Sequence, residues 1–261
     1  MIKRARYNFE RALLLYPVKC DKMKAVGTFY GIGVGPGDPE LLTLKAIKIL
    51  QKVPNLFAAS SSKNDYSVAL QTVKEYLSPD VKIYPLPFPM TYDQQKLEKA
   101  WRENCQLILD LLLKGEDVAF ITIGDPLIYS TYIYLLRTIQ SLCPDVPVQT
   151  IPGITSFQAA ASSCNLPLVE GEESMAIVSG AQGVTHLERT IDSCDTVVLL
   201  KVYRQMPEII KTLEERSLHN SICYISKCGF CDQEIITDLN DLKDRKSHYL
   251  SLMIVKKKGL F

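Results

Sequence analysis

Between Gly31 and Ala46 the chain reads GIGVGPGDPELLTLKA, with four glycines and Pro36 set between an apolar run and a helical pattern. Asp38 is a good N-cap, Pro39 suits a first helical position, and Leu41, Leu42, Leu44 and Ile47 supply an apolar face, so the spacing predicts a helix over residues 39–52. Such a junction turns backbone N–H groups toward whatever binds above the strand end. The spacing fails the familiar nucleotide tests. G-x-G-x-x-G would need glycine where Pro36 or Asp38 stands, and no G-K-[S/T] follows. An aspartate at that mouth repels phosphate and tolerates a cation. The chemistry suggested is recognition of a small ligand that is not a polyphosphate.

Two further turns repeat the pattern. DVAFITI runs into Gly124-Asp125-Pro126, where Asp125 and Pro126 are expected to cap and open a helix running through Gln140, and VPVQTI runs into Pro152-Gly153, with Thr155 or Ser156 placed to cap the next helix. In an open parallel sheet such turns share the carboxyl edge, where ligands bind. The elements that must position them alternate strand and helix from Thr28 onward, the pattern of a largely parallel α/β sheet. VKIYPLPFPM is expected to run extended, because its three spaced prolines oppose a helix or a central strand. LEKAWRENCQLILDLLLKG is expected to be a long amphipathic helix closed at Gly115. After Ala161 five short strands are expected in ESMAIVSG, TVVLLKV, SICYISK, QEIITDL and YLSLMIVKK, with PEIIKTLEERS the clearest helix. The organisation expected is a basic extension over residues 1–24, an α/β domain with a parallel sheet over 25–150, and an α/β domain with a mixed sheet over 151–261.

The 261 residues carry a formal net charge of +1, which argues against a general nucleic-acid surface. No apolar run reaches membrane-spanning length, and no membrane partner is expected. Eight scattered cysteines do not form a secreted disulfide scaffold, so free thiols and a cytoplasmic location are expected. Cys228-Gly-Phe-Cys231 has the C-x-x-C spacing of zinc and redox sites, but a closed zinc site pairs two such elements. No metal site is expected, and His186 and His219 are expected at the surface.

The first loop closely resembles the first motif of the tetrapyrrole methylases, which use S-adenosylmethionine in vitamin B12 and sirohaem synthesis. VAFITIGDPLIYSTY resembles that family's second cofactor segment and IPGITSFQAAAS its third. FPMTYDQQKLEKAW and LPLVEGEES are similar to the branch that methylates C20 of precorrin-2 or its cobalt form. The resemblance implies two α/β domains with a cofactor cleft between them, assembled as a homodimer. It implies S-adenosylmethionine near Pro36, near Ile123, Gly124, Asp125 and Ile128, and near Thr155, Ser156 and Lys201. Lys201 departs from the family, since L-K-V-Y stands where uroporphyrinogen methylases carry Y-M-G-L.

Methyl transfer from a sulfonium needs in-line placement and exclusion of water more than covalent help. That suits a chain with three histidines and no evident nucleophile–base pair. Glu170, Glu172, Glu173, Tyr129 and Tyr132 are candidates to accept a proton from the methylated carbon, and none is assigned; Tyr129, with Arg204, is expected to contact the substrate. For the carboxylates of a tetrapyrrole substrate the candidate cations are Lys63, Arg102, Lys201 and Arg204, with Lys201 and Arg204 preferred because they follow a strand end. The competing activities are another uroporphyrinogen or precorrin methylation, and dinucleotide-dependent oxidoreduction, which the failed fingerprint disfavours. The cobalt-containing substrate is favoured over the metal-free one. Residues before Lys24 lie outside all three motifs, and Met23 offers an internal start. A chain beginning at Met23 should express in soluble form and bind adenosylmethionine with unchanged affinity by titration calorimetry; a loss of either would make the extension part of the core.

Overall fold

A computed structural model describes residues 26–60, 67–89, 91, 93–180 and 184–260, except for the side chains of 184–186. The expectations for residues 1–24, for Lys63 and for the His186 side chain fall outside that set. The chain divides into two compact units, Met1–Ile154 and Thr155–Phe261.

The first unit is built on β1 (Phe29–Gly33), β2 (Asn55–Ser60), β3 (Lys82–Pro87), β4 (Val118–Thr122) and β5 (Val148–Ile151), all parallel, in the order β3-β2-β4-β1-β5. Alternation along the strands sends Phe29, Phe57 and Phe120 to one face and Ile32, Leu56 and Ile121 to the other. Helices α1 (Leu44–Leu50) and α2 (Val68–Val73) cover the aliphatic face, while α3 (Gln94–Leu112) and α4 (Tyr132–Leu142) cover the aromatic one. Both faces are therefore dry, which explains the near-continuous apolar runs of β1 and β4. The prolines of β3 sit at the sheet edge, where their missing N–H groups cost least. Asp93 caps α3 by accepting from the N–H groups of Gln95 and Lys96, and Gly115 closes it at φ +84°.

Two helix expectations need correction. Residues 39–52 do not form one helix. Asp38 caps only a 3-10 turn, Pro39–Leu41, and Thr43 then caps α1 by accepting from the Ala46 N–H. Two good caps five residues apart divide the segment, and Leu42 is extended between them and buried. Nor does Pro126 open a helix: Asp125 to Thr131 form turns, and α4 begins only at Tyr132.

The second unit holds α5 (Ser156–Ser163), β6 (Met175–Ser179), α6 (Val184–Ser193), β7 (Thr196–Leu200), α7 (Met206–Glu214), β8 (Ile222–Ser226), β9 (Glu234–Ile236) and β10 (Ser251–Lys256). Its sheet runs β6-β7-β10-β8-β9, with β6 and β7 parallel and the other pairs antiparallel. All five expected strands are present. Helix α6 was not anticipated; its tie to the core is the i, i+4 pair Leu187 and Ile191, too short a pattern to stand out from its polar neighbours.

Lys256, at the end of β10, is 5% exposed and donates to the Pro167 carbonyl at 2.9 Å. Its ammonium also lies 3.7 Å from Glu173, whose other oxygen is 3.1 Å from Lys258. The hydrogen bond from Lys258 first, then the Glu170 N–H and the Lys256 charge, hold the Glu173 carboxyl below its ordinary value. A carboxyl lowered by folding stabilises the fold above its unfolded value, about 4.3, and loses that contribution as pH falls through the folded value. The stability gap between the wild type and Glu173→Gln should be widest near neutral pH and shrink below about pH 4 in urea titrations. A gap constant from pH 7 to pH 3 would remove the ionised carboxylate from this role.

Candidate active site

Parallel pairing sets the geometry of the first unit's carboxyl edge. Gly33 of β1 stands level with Thr122 of β4, and Ile32 is level with Ile151 of β5. The three following loops therefore leave at one height. They are bonded to one another as well: the Val34 N–H donates to the Thr122 carbonyl at 2.9 Å, and the Gly124 N–H to the Gly35 carbonyl at 2.7 Å. The loops cross so closely that a Cβ on Gly33 would lie 2.5 Å from the Gly124 oxygen, and one on Gly153 would lie 2.2 Å from it. Any side chain at either point would force the backbones apart.

Asp125 completes the junction. One carboxylate oxygen accepts from the Leu127 N–H at 2.8 Å, and the other accepts from the Gly153 N–H at 3.2 Å. The Ser130 hydroxyl donates to Thr122 Oγ1 at 3.0 Å and also accepts from the Tyr132 N–H. The loop over 123–130 is thus tied at both ends. Between the ties Tyr129 adopts φ +49°, a left-handed conformation uncommon outside glycine, and is 46% exposed. Gly124 lies at φ +70°, and a Cβ there would meet nothing within 4 Å. The inner side of the crossing is filled, and the backbone cradle leaves space where a side chain at the buried Gly124 would stand. Pro36 is buried beside it in sequence, and Ile123 and Ile128 are half-buried.

In the second unit Thr155 forms a capping box with Gln158 at the start of α5. Its hydroxyl accepts from the Gln158 N–H at 3.3 Å and donates to the Gln158 side-chain oxygen at 2.8 Å. That side chain is committed to the helix end, which leaves the first-turn N–H groups and half-buried Ser156 as the features a ligand would meet. Lys201 follows β7 at φ +60°. Desolvation first, and the Arg204 charge second, lower its ammonium below the ordinary lysine value, although the residue as a whole remains exposed. Arg204 donates from Nε to the Tyr203 hydroxyl at 2.6 Å, and the Tyr203 ring meets Tyr249 edge-on at 5.3 Å.

The same sheet edge gathers further cations that sequence spacing did not single out. Register places Leu200 opposite Leu252 and Ser226 opposite Ser251, so the end of β7, the start of β10 and the end of β8 share one edge. A cavity of about 520 Å³ at the end of β8 is lined by Lys227, Arg245, Lys246 and His248, among others. Lys227 pairs with Asp232, and Arg245 pairs with Glu234. These residues lie 20 to 50 positions from Lys201 and come together only through antiparallel pairing, so no local motif announces them.

Several candidates have other roles. Tyr132 is fully buried, and its hydroxyl lies 2.7 Å from Thr150 Oγ1, so it is a core residue and no proton acceptor. Glu173 is held in the ion pairs already described, while Glu170 and Glu172 are exposed. Arg102 is half-buried on α3, and the buried His219 Nδ1 has no hydrogen-bond partner. Free thiols are found at Cys105, Cys164, Cys194, Cys223, Cys228 and Cys231, but Cys143 is disulfide-bonded, contrary to expectation. Among the described residues no three His, Cys, Asp or Glu side chains are grouped to hold a metal ion, and no helix is long and apolar enough to cross a membrane.

The model of the tetrapyrrole (corrin/porphyrin) methylases matches residues 28–243. The chain belongs to that family. The methylase is 36% identical over 237 residues to the "Probable cobalt-precorrin-2 C(20)-methyltransferase" of Methanocaldococcus jannaschii, covering 90% of this chain and 98% of that one. It is 31% identical to the cobalt-precorrin-2 C(20)-methyltransferase of Salmonella typhimurium, covering 88% and 97%. Its fold matches that of uroporphyrin-III C-methyltransferase from Thermus thermophilus, solved with S-adenosyl homocysteine, at a TM-score of 0.65 and 24% identity over 88% of this chain and 98% of that one. The methylase fold thus supplies the loop crossing, and Asp125 supplies the tie between its second and third loops. Asp125→Ala should speed amide exchange at Leu127 and Gly153 while leaving the β1 and β4 amides protected; unchanged exchange at both would show that the carboxylate does not hold the junction.

Proposed function

We propose that this methylase transfers the methyl group of S-adenosylmethionine to C20 of precorrin-2, preferring the cobalt-containing form, in cobalamin synthesis. The observation that carries the reading is the near end-to-end likeness to two C20-methyltransferases, whose whole lengths this chain spans. The cradle at Gly124 fits the cosubstrate, because backbone and a left-handed glycine leave room where a side chain would stand. When bound, S-adenosylmethionine supplies an electrophilic methyl group on a sulfonium.

Under this reading Pro36, Ile123, Gly124 and Ile128 form the apolar and backbone wall that orients the donor. Asp125 acts through the loops: with both oxygens on backbone N–H groups, it fixes the cradle rather than reacting. Thr155 holds the first turn of α5 open for the cosubstrate's carboxylate, beside Ser156, since a helix N-terminus favours an anion. Lys201 and Arg204 meet the acetate and propionate groups of the tetrapyrrole, and a carboxylate beside Lys201 offsets the desolvation and the Arg204 charge that lower its ammonium. Tyr129, held exposed by its strained backbone, orients the macrocycle beside the donor loop. The reading includes a cytoplasmic homodimer, for which light scattering across the micromolar range is the test.

Anaerobic turnover with a radiolabelled methyl donor should be fastest with cobalt-precorrin-2, slower with precorrin-2 and absent with uroporphyrinogen III. Faster reaction of the metal-free compound would reverse the cobalt preference, and reaction of uroporphyrinogen alone would overturn the C20 assignment. Gly124→Leu should weaken adenosylmethionine binding by tenfold or more in titration calorimetry, with an unchanged circular dichroism spectrum. Unaltered affinity would take the second loop out of the site.

A further inference from the structure

The second unit brings together two cysteines that are 59 residues apart in sequence. Cys164 is the C-cap of α5, and Cys223 lies in β8 opposite Ile254 of β10. Their sulfurs are 3.2 Å apart. A disulfide bond measures about 2.0 Å, so a closure of roughly 1.2 Å would join them. The two differ in access: Cys223 is 1% exposed, whereas Cys164 is half-buried and reaches the surface. A third thiol, Cys228, is 6% exposed, while Cys231 is exposed at the surface. The C-x-x-C spacing is therefore a poor guide to which sulfurs meet, since the contact recorded joins Cys164 to Cys223.

We propose that Cys164 and Cys223 form an oxidation site, in which a peroxide enters at Cys164 and the pair closes to a disulfide between α5 and β8. The Cys164 sulfur, as thiolate, takes one oxygen of hydrogen peroxide to become a sulfenic acid, and hydroxide leaves with the second oxygen. The Cys223 sulfur then displaces the sulfenic hydroxyl, which departs as water with the Cys223 proton. Two thiols and one peroxide give one disulfide and two waters; each sulfur is oxidised by one electron and the peroxide is reduced. The order follows from access, because a sulfur that reaches solvent meets the oxidant and its buried neighbour resolves it. Burial and the facing Cys164 sulfur raise the Cys223 thiol, and burial raises Cys228 to about 11, so neither competes as the first nucleophile.

The link would join the end of α5 to β8 of the second sheet. That helix carries Thr155 and Ser156 at its other end, but the chemistry of the thiol pair does not rest on any ligand bound there. The full-length protein, reduced and then treated with equimolar hydrogen peroxide, should yield a Cys164–Cys223 cross-linked peptide in a trypsin and chymotrypsin digest. The cleavages after Phe157 and Lys227 separate this pair from Cys143 and Cys228. Cys164→Ser should abolish the link, and Cys228→Ala should keep it with at least half the wild-type yield. A Cys164–Cys228 or Cys228–Cys231 link in place of it would overturn the proposal. So would conversion of Cys164 to sulfinic acid without any link, or complete resistance of both thiols.

Discussion

The constraint on which the first unit depends is the placement of β1 between two parallel partners, β4 and β5, in matched register. Because Gly33 is level with Thr122 and Ile32 with Ile151, three strand ends finish at one height and three loops must cross there. Crossing at that distance leaves no space for side chains, which accounts for the glycines at 33 and 153. It would also leave backbone N–H groups unpaired in a tight junction, and the Asp125 carboxylate removes two of them at once. The parallel register, the small residues and the aspartate are one solution to one packing problem. The space at Gly124 is what that solution leaves over.

Much of this was legible in the sequence because the local signals agreed with the global fold. The apolar runs of β1, β2 and β4, the prolines of β3, and the Gly115 end of α3 each have a short-range cause that survives in the structure. Legibility failed where two local signals competed. Asp38 and Thr43 are both good caps, and spacing alone does not say that the chain will use both. Asp125 followed by Pro126 has the same form as Asp38 followed by Pro39, yet its second oxygen is drawn to Gly153, 28 residues away. A long-range donor changed a helix start into a tied loop. The matching of GDP in the two places was a likeness of composition with different outcomes.

The second unit was readable as strands but much less so as a site. Its cations gather along one edge through the antiparallel pairing of β10 with β7 and β8, a non-local fact with no sequence period. Glu173 illustrates the same limit from the other direction. Within LPLVEGEES it reads as one of three equivalent carboxylates, but Lys256 and Lys258 reach it from the far end of the chain and make it structural. Burial decides the tyrosines in the same way: Tyr132 fills the core behind the loop, whereas Tyr129 is held outward by a left-handed backbone.

The lack of a nucleophile–base pair suits the kind of reaction proposed, in which a proton leaves only after the methyl group has been transferred. A sulfonium needs no activation to lose a neutral thioether, and an electron-rich bridge carbon needs no nucleophilic side chain in front of it. What remains for the protein is distance and angle, and those are set by backbone more reliably than by long side chains. That explains a candidate site made of glycine, proline and main-chain N–H groups, with its one carboxylate turned to scaffolding. Under the proposed function the charged residues belong to the other requirement, recognition of a polycarboxylate of fixed outline. Positions held by backbone and charge supplied by side chains are separable tasks, and the proposal gives the first to the loops of the parallel sheet and the second to the edge of the mixed one.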